Sequence, residues 1–491
     1  EMKDGINKGK VVGKIRDISY NGYTYQAIQI DGKFKPNHFD GMVSINDENL
    51  QLQFAGLVDL AEQAPDINFD LRLHRFRPEI LGLSDELRNS EIGLSLAANL
   101  SGINPDKMNG YLVVDSLRLR RGMDSVMLQQ IKLTVLAEKN DNKHIRLTSD
   151  IVTGSLSGAF RYAEVPYAFL RLAYQYLPNA FPATTAKRIL SHSAAAPQTL
   201  DFYLYGHRLK PLQRVLRLPF TLGDQPVLKG FYHEADGLFG VQAYATSVRV
   251  NGIPIEDITL AFNNFDGSAA LSLSAKAKNM NALTHIAALN NSVNVHVSLE
   301  QLDSMEHVYA GDVHLHTHFS QYAGMPLIDL HLLPSTVVLK DSLYTINESH
   351  INYCVADTML SIENFQVEAS HQYIRANGVA SKRADDSLRV ELGHIDAGFI
   401  LPFVLPEKEF KLGGYATGWA TLYNLFNQPV FEADVRLDSA QINDVYLGTA
   451  LATLELDKET KNILIDGDVY TPTERLLAHV DGEVVTATKH W

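Results

Sequence analysis

Residues 50–60 read LQLQFAGLVDL, and residues 67–76 read INFDLRLHRF. In the first stretch Leu50, Leu52, Phe54, Gly56, Val58 and Leu60 alternate with Gln51, Gln53 and Asp59. In the second, Ile67, Phe69, Leu71 and Leu73 do the same. Successive side chains of a strand point to opposite faces, so this period of two predicts strands with one apolar and one wetted face. The pattern recurs in IGLSLAANL (Ile92, Leu94, Leu96), IKLTVLA, ITLAFNN (Ile258, Leu260, Phe262), ALSLSA (Leu271, Leu273), VNVHVSL and FEADVRL (Phe431, Val435). Strands of parallel sheets are apolar on both faces, so the alternation predicts antiparallel pairing.

Asn-Gly and Asp-Gly pairs punctuate these strands at 31–32, 40–41, 109–110, 251–252, 266–267 and 481–482. Both residue types tolerate the positive φ of tight hairpin turns, so each pair predicts a turn and the whole a β-meander. One segment departs from period two. EVPYAFLRLAYQYLP places Val165, Phe169, Leu172 and Tyr176 at helical spacing, with Pro166 near its start and Pro178 at its end. A helical interruption is expected over 164–192, its second piece near 183–191.

Roughly 30 strands spaced about 4.8 Å apart make a sheet too large to stay flat and open, so it must curl or split. Two outcomes are open. Paired sheets close face to face as dry sandwiches, the commoner result, or one sheet bends into a trough with the apolar face inside.

The chain has 491 residues, 45% hydrophobic and 20% charged, in the range of folded proteins. A net charge of −14 has the wrong sign for gripping a phosphate backbone, so no nucleic-acid partner is expected. Cys354 is the single cysteine, which precludes an intramolecular disulfide and suits an oxidising compartment. The longest apolar run, 397–405, is far short of the ~20 residues of a bilayer-spanning helix. Both ends fall inside strand-like text, as expected of an internal segment of a longer protein.

Motifs of chemistry are sparse, and no catalytic residue, cofactor or metal site is expected. VHLHTHF puts His314, His316 and His318 on one strand face, about 6.6 Å between neighbours, and no acidic residue within the strand is expected to complete a metal site. His296, His307 and His331 carry no assigned role. GSLSG at 154–158 has Leu156 where a nucleophile elbow needs serine. Asp385 and Asp386 read as a solvated turn. Tyr20, Tyr23 and Tyr25 could form a sugar platform, but aromatic residues are ordinary in strands.

Two longer passages carry a resemblance. GKIRDISYNGYTYQAIQIDGKFKPNHFDGMVSINDENLQLQFAGLVDL (13–60) and VELGHIDAGFILPFVLPEKEFKLGGYATGWATLYNLFNQPVFEADVRLDSAQI (390–442) resemble the TamB-like translocation and assembly module proteins of Bacteroides-type bacteria, within the AsmA-like superfamily. The shared cadence is a strand, Phe-x-Gly, Asp-x-Asn-Leu and Phe-x-Gly-x-x-Asp, and later Pro-x-Phe-x-x-x-Val. About a third of the chain matches in such words.

The resemblance implies an all-β fold: a long antiparallel meander curled into an open trough with an apolar interior. It places trough at 1–162, a helical insertion at 163–195, and trough continuing the same sheet at 196–491. It implies a periplasmic bridge carrying phospholipid between inner and outer membrane, with the inner-membrane anchor outside this segment and an outer-membrane barrel protein as a further partner. Leu50, Leu52, Phe54, Val58, Ile67, Phe69, Leu71, Leu73, Ile92, Leu94, Leu96, Ile258, Leu260, Phe262, Leu271, Leu273, Phe431 and Val435 would line the groove and meet acyl chains. Rival readings are an assembly factor binding outer-membrane protein strands, and a non-catalytic β-sandwich adhesin or glycan binder.

Overall fold

The computed structural model describes residues 9–60, 65–102, 104–192, 196–250, 253–277, 279–301, 308–339, 341–398, 411–427, 429–443, 445–457 and 462–484. The fold is all-β, with 31 strands and three α-helices among these residues, and every pairing described is antiparallel. No helix among them is long and apolar enough to cross a membrane. The chain divides into two compact units.

The first unit begins with β1 (Gly9–Tyr20), β2 (Tyr23–Lys35), β3 (His38–Asn46), β4 (Leu50–Asp59) and β5 (Asp66–Phe76). It continues with β6 (Ser90–Ser101), β7 (Asn109–Arg121), β8 (Asp124–Ala137), β9 (Asn142–Thr148) and β10 (Val152–Ala159). Each of these pairs with the next, as a meander requires. Helix α1 (Val165–Tyr176) and helix α2 (Ala183–Ser191) then interrupt the strands, where the helical spacing predicted them. α1 clusters with this unit as far as Leu172.

The strands resume with β11 (Thr199–Gly206), which pairs β10. Helix α3 (Lys210–Leu216) follows, then β12 (Phe220–Leu222), β13 (Val227–His233), β14 (Leu238–Val250), β15 (Ile253–Asn263) and β16 (Ala269–Ala277). β13 joins β11 to β14, and β12 pairs the far end of β14.

The second unit includes residues 173–191 and everything from 279 onward. Its strands are β17 (Met280–Leu289), β18 (Ser292–Gln301), β19 (Ala310–Tyr322), β20 (Met325–Leu332), β21 (Ser335–Leu339), β22 (Ser342–Ile346), β23 (Ser349–Cys354) and β24 (Met359–Ala369). Then come β25 (Gln372–Ala380), β26 (Ser387–Asp396), β27 (Leu412–Tyr423), β28 (Val430–Ile442), β29 (Val445–Leu456), β30 (Ile463–Tyr470) and β31 (Leu476–Val484). The meander is plain except between β19 and β24. There β20 and β21 share the edge of β19, and β23 and β22 share the edge of β24. Pro334 separates β20 from β21; without an N–H it cannot continue a ladder.

Most of the turn expectations fail. Asp31-Gly32 and Asp40-Gly41 lie inside β2 and β3, Asn109-Gly110 opens β7, and Asp481-Gly482 lies inside β31. Residues 251–252 are outside the described residues. Only Asp266-Gly267 lies in a turn, with φ of 82° at Gly267. Within the strands glycine makes room instead. A Cβ on Gly32 would stand 2.7 Å from the ring of Phe39. The tight turns fall at pairs such as Asn21-Gly22 and Asn290-Asn291, where both residues take positive φ.

β-Bulges recur along both meanders. Register shifts fall between Leu73 and Phe76 on β5, Ile362 and Phe365 on β24, Leu392 and Ile395 on β26, and Leu437 and Ala440 on β28. Asn364, His394 and Ser439 take positive φ at the last three. A bulge bends its strand and strengthens the local twist. It also resets the alternation: Phe76 returns to the face of Leu73 and pairs with Ile92.

Candidate functional site

The cross-strand registers bring the apolar positions into rows. Directly opposed residues of an antiparallel pair share a face, with Cα atoms about 4.5–5.5 Å apart. Ile28, Ile45, Leu52, Leu73, Leu94, Leu117 and Leu128 form one row from β2 to β8. Beside it run Ile30, Val43, Phe54, Leu71, Leu96, Val114 and Ile131. The longest row crosses β2 to β15 through Phe34, Phe39, Val58, Ile67, Leu100, Gly110, Val135, Ile145, Leu156, Phe202, Gly230, Val241 and Phe262. The rings of Phe54 and Phe69 touch within the band, 5.1 Å between centroids. No charged residue interrupts these rows.

The second unit has its own band. Ala288, Val293, Thr317, Leu330, Ile351, Ile362, Gly378, Leu388, Leu422 and Phe431 form a row from β17 to β28. Val435 lies on the same face, opposite Gly418 and Ala452. In the first unit, Leu271 and Leu273 occupy alternate positions of β16 and are half-buried. Of the eighteen positions nominated from the alternation, Leu50 is buried and the others are half-buried. In a dry sandwich such side chains would be sealed between two sheets.

Two helices show what sealing looks like on this same face. α3 lies over β7 and β8, where Val126, Leu128 and Val215 form a buried cluster with Leu117, Ile131 and Leu212 against it. α1 lies over Tyr232, whose ladder partners are Leu200 and Phe239; Leu200, Tyr232 and Phe239 are 6%, 3% and 2% exposed. The Tyr232 hydroxyl donates to Ala168 O at 3.2 Å, and its ring stacks on Phe169 at 5.4 Å. Burial pushes the Tyr232 phenol up to about 12, with the charge of Glu234 adding to it, so it stays a donor. Arg171 anchors the helix through Glu234 at 2.6 Å. The helical stripe matches expectation at Leu172 and Tyr176, which are buried, and differs nearer its start, where Ala168 is buried and Phe169 is 45% exposed. The small Ala168 thus takes the place against the sheet that Phe169 was expected to fill. α3, whose seven residues carry too short a period to stand out, was not expected from the sequence.

The opposite face is polar. In the second unit it gathers His285 on β17, His296 on β18, His314, His316 and His318 on β19, His331 on β20 and His350 on β23. His296 stands directly across from His314, and His316, His331 and His350 lie directly across one another. His316 bonds Asn294 at 2.7 Å and His318 bonds Ser292 at 3.0 Å. The expectation that this strand lacks an acid is overturned: β19 carries Asp312 on that face, directly before the run. Bonds from His296 and His314 hold its carboxyl below the ordinary value. His307 is outside the described residues.

Other candidates hold ordinary partners. Tyr23 donates to Asp47 at 2.6 Å and meets Tyr25 edge-on. Asp386 accepts from Ser381 in a turn at 2.6 Å. Ser157 of GSLSG lies opposite Asp201, whose carboxylate is 3.6 Å from His233 Nε2. The acid stands between hydroxyl and imidazole, the reverse of the order a nucleophile–base relay needs.

No family model, curated protein or solved structure matches the chain.

Proposed function

We propose that the apolar band is a lipid-carrying surface, and that the chain is a segment of a periplasmic bridge moving phospholipid between inner and outer membrane. The observation that carries the reading is the contrast along one face. Where α3 lies on it and where Tyr232 meets α1, its side chains are buried; over β4 to β6, Leu52, Phe54, Leu71, Leu73, Leu94 and Leu96 stay half-buried. An open apolar band of this extent is costly in water and calls for a partner. Acyl chains fit it, because the band offers many equivalent apolar steps and no single deep polar site to arrest a ligand.

On this reading the repeated bulges help curl each meander into a trough, and head groups stay at its open seam. The resemblance to the TamB-like proteins points the same way. No bond is made or broken in such transfer, so no catalytic group is required.

The test is lipid copurification. The chain, extracted gently from a Gram-negative envelope, is expected to carry phospholipid by mass spectrometry, and Leu52→Asp or Phe262→Asp to carry less. A wild-type chain without lipid would sink the proposal. Peptides from outer-membrane barrels in place of lipid would favour strand binding by β-augmentation.

A further inference from the structure

The geometry points to two transition-metal sites on the polar face of the second unit, one at His296, Asp312 and His314, the other at His331, Glu348 and His350. In each trio the donor atoms lie within 4.8 Å of one another. Around one tetrahedral zinc, with bonds of about 2.0–2.1 Å, neighbouring donors stand about 3.3 Å apart. His296 Nε2 is 2.6 Å from Asp312 Oδ1, and His314 Nε2 is 3.3 Å from Asp312 Oδ2. In the second trio His331 Nε2 is 2.8 Å from Glu348 Oε1. Small side-chain rotations turn either arrangement into a ligand shell.

The backbone holds the imidazoles in place beforehand. His296 and His314 are direct partners in an unshifted ladder, as are His331 and His350. Their rings stack with centroids 4.2 and 4.1 Å apart and planes 8° and 17° from parallel. Ligands on regular strands are placed more precisely than ligands on loops. Two such pairs of rings, each with an acid beside it, recur on one face with the same donor set.

Two imidazoles and a carboxylate select zinc, cobalt, nickel or copper over calcium or magnesium, which prefer all-oxygen shells. Three protein ligands leave a position for water. Each ion would clamp two adjacent strands, β18 to β19 and β20 to β23. The ligand side chains are between 25% and 59% exposed, so ions reach them from solvent.

The proposal is independent of lipid carriage and is tested on the full chain, stripped with EDTA and titrated with zinc chloride by calorimetry. Two zinc ions per chain are expected. His314→Ala and His350→Ala should each retain one and the double variant none, while His371→Ala, an exposed histidine elsewhere, retains both. Cobalt should give visible absorption bands of a low-coordinate site that His314→Ala and His350→Ala each diminish. Circular dichroism of the metal-free variants matching wild type excludes unfolding as the cause. Absence of zinc uptake by wild type, full uptake by the double variant, or equal loss in His371→Ala would overturn the proposal.

Discussion

Phe202 on β11 lies directly across from Gly230 on β13, and its ring occupies the space a side chain at Gly230 would need: a Cβ there would stand 2.7 Å from Phe202 Cζ. The pair keeps the apolar row continuous where one strand offers no side chain of its own. Gly230→Ala forces the ring aside and also presses on the Gly240 carbonyl. Overpacking of this kind costs about 1–3 kcal/mol. Urea unfolding should show the loss, and Gly230→Ala combined with Phe202→Ala should cost less than the two separate losses added together.

Leu128 and Leu94 stand in one row, two strands apart, yet α3 covers only the first. Leu128→Ala is expected to lose about 2–5 kcal/mol, the range for a buried leucine. Leu94→Ala, at a half-open position, should lose clearly less in the absence of lipid. Equal losses in denaturant titrations would mean that the face is closed at Leu94 as well.

Glu91 gives the first unit an acid-sensitive contact. Burial raises its pKa, but the bond from Arg77 and the charges of Arg120, Arg77 and Arg75 outweigh burial and leave it lowered. The nearest atoms lie 2.9, 3.5 and 3.9 Å away for Arg77, Arg120 and Arg75. A depressed carboxylate stabilises the fold above its ordinary value, and the contribution fades as pH falls through the lowered one. Thermal melts from neutral to acid pH should therefore show a steeper decline in wild type than in Glu91→Gln. Parallel curves would remove Glu91 from the account.

The strand faces were legible in the sequence because period two is local: Ile67, Phe69, Leu71 and Leu73 could be assigned by counting. Bulges break that count. Phe76 falls out of phase with Leu73 in the sequence, and only the two residues accommodated between them restore it to the apolar face. Asp-Gly pairs misled because glycine serves two needs, a positive φ in turns and space beneath an aromatic ring in strands, as at Gly32. Histidine clustering depended on register between strands, which pairs His296 with His314 and His331 with His350, so His296 and His331 looked scattered. The covering of the apolar face by α1 and α3 is likewise a matter of tertiary packing that alternation does not encode.

The central claim is that one face of the sheet carries acyl chains, and face-specific photocrosslinking in cells tests it most directly. A photoreactive residue in place of Leu71 or Phe262 faces the apolar band; one in place of Asp70 or Ala261 faces the other side. The account predicts phospholipid adducts at Leu71 and Phe262 and few at Asp70 and Ala261. Lipid adducts equal on both faces, or absent from both, would contradict it.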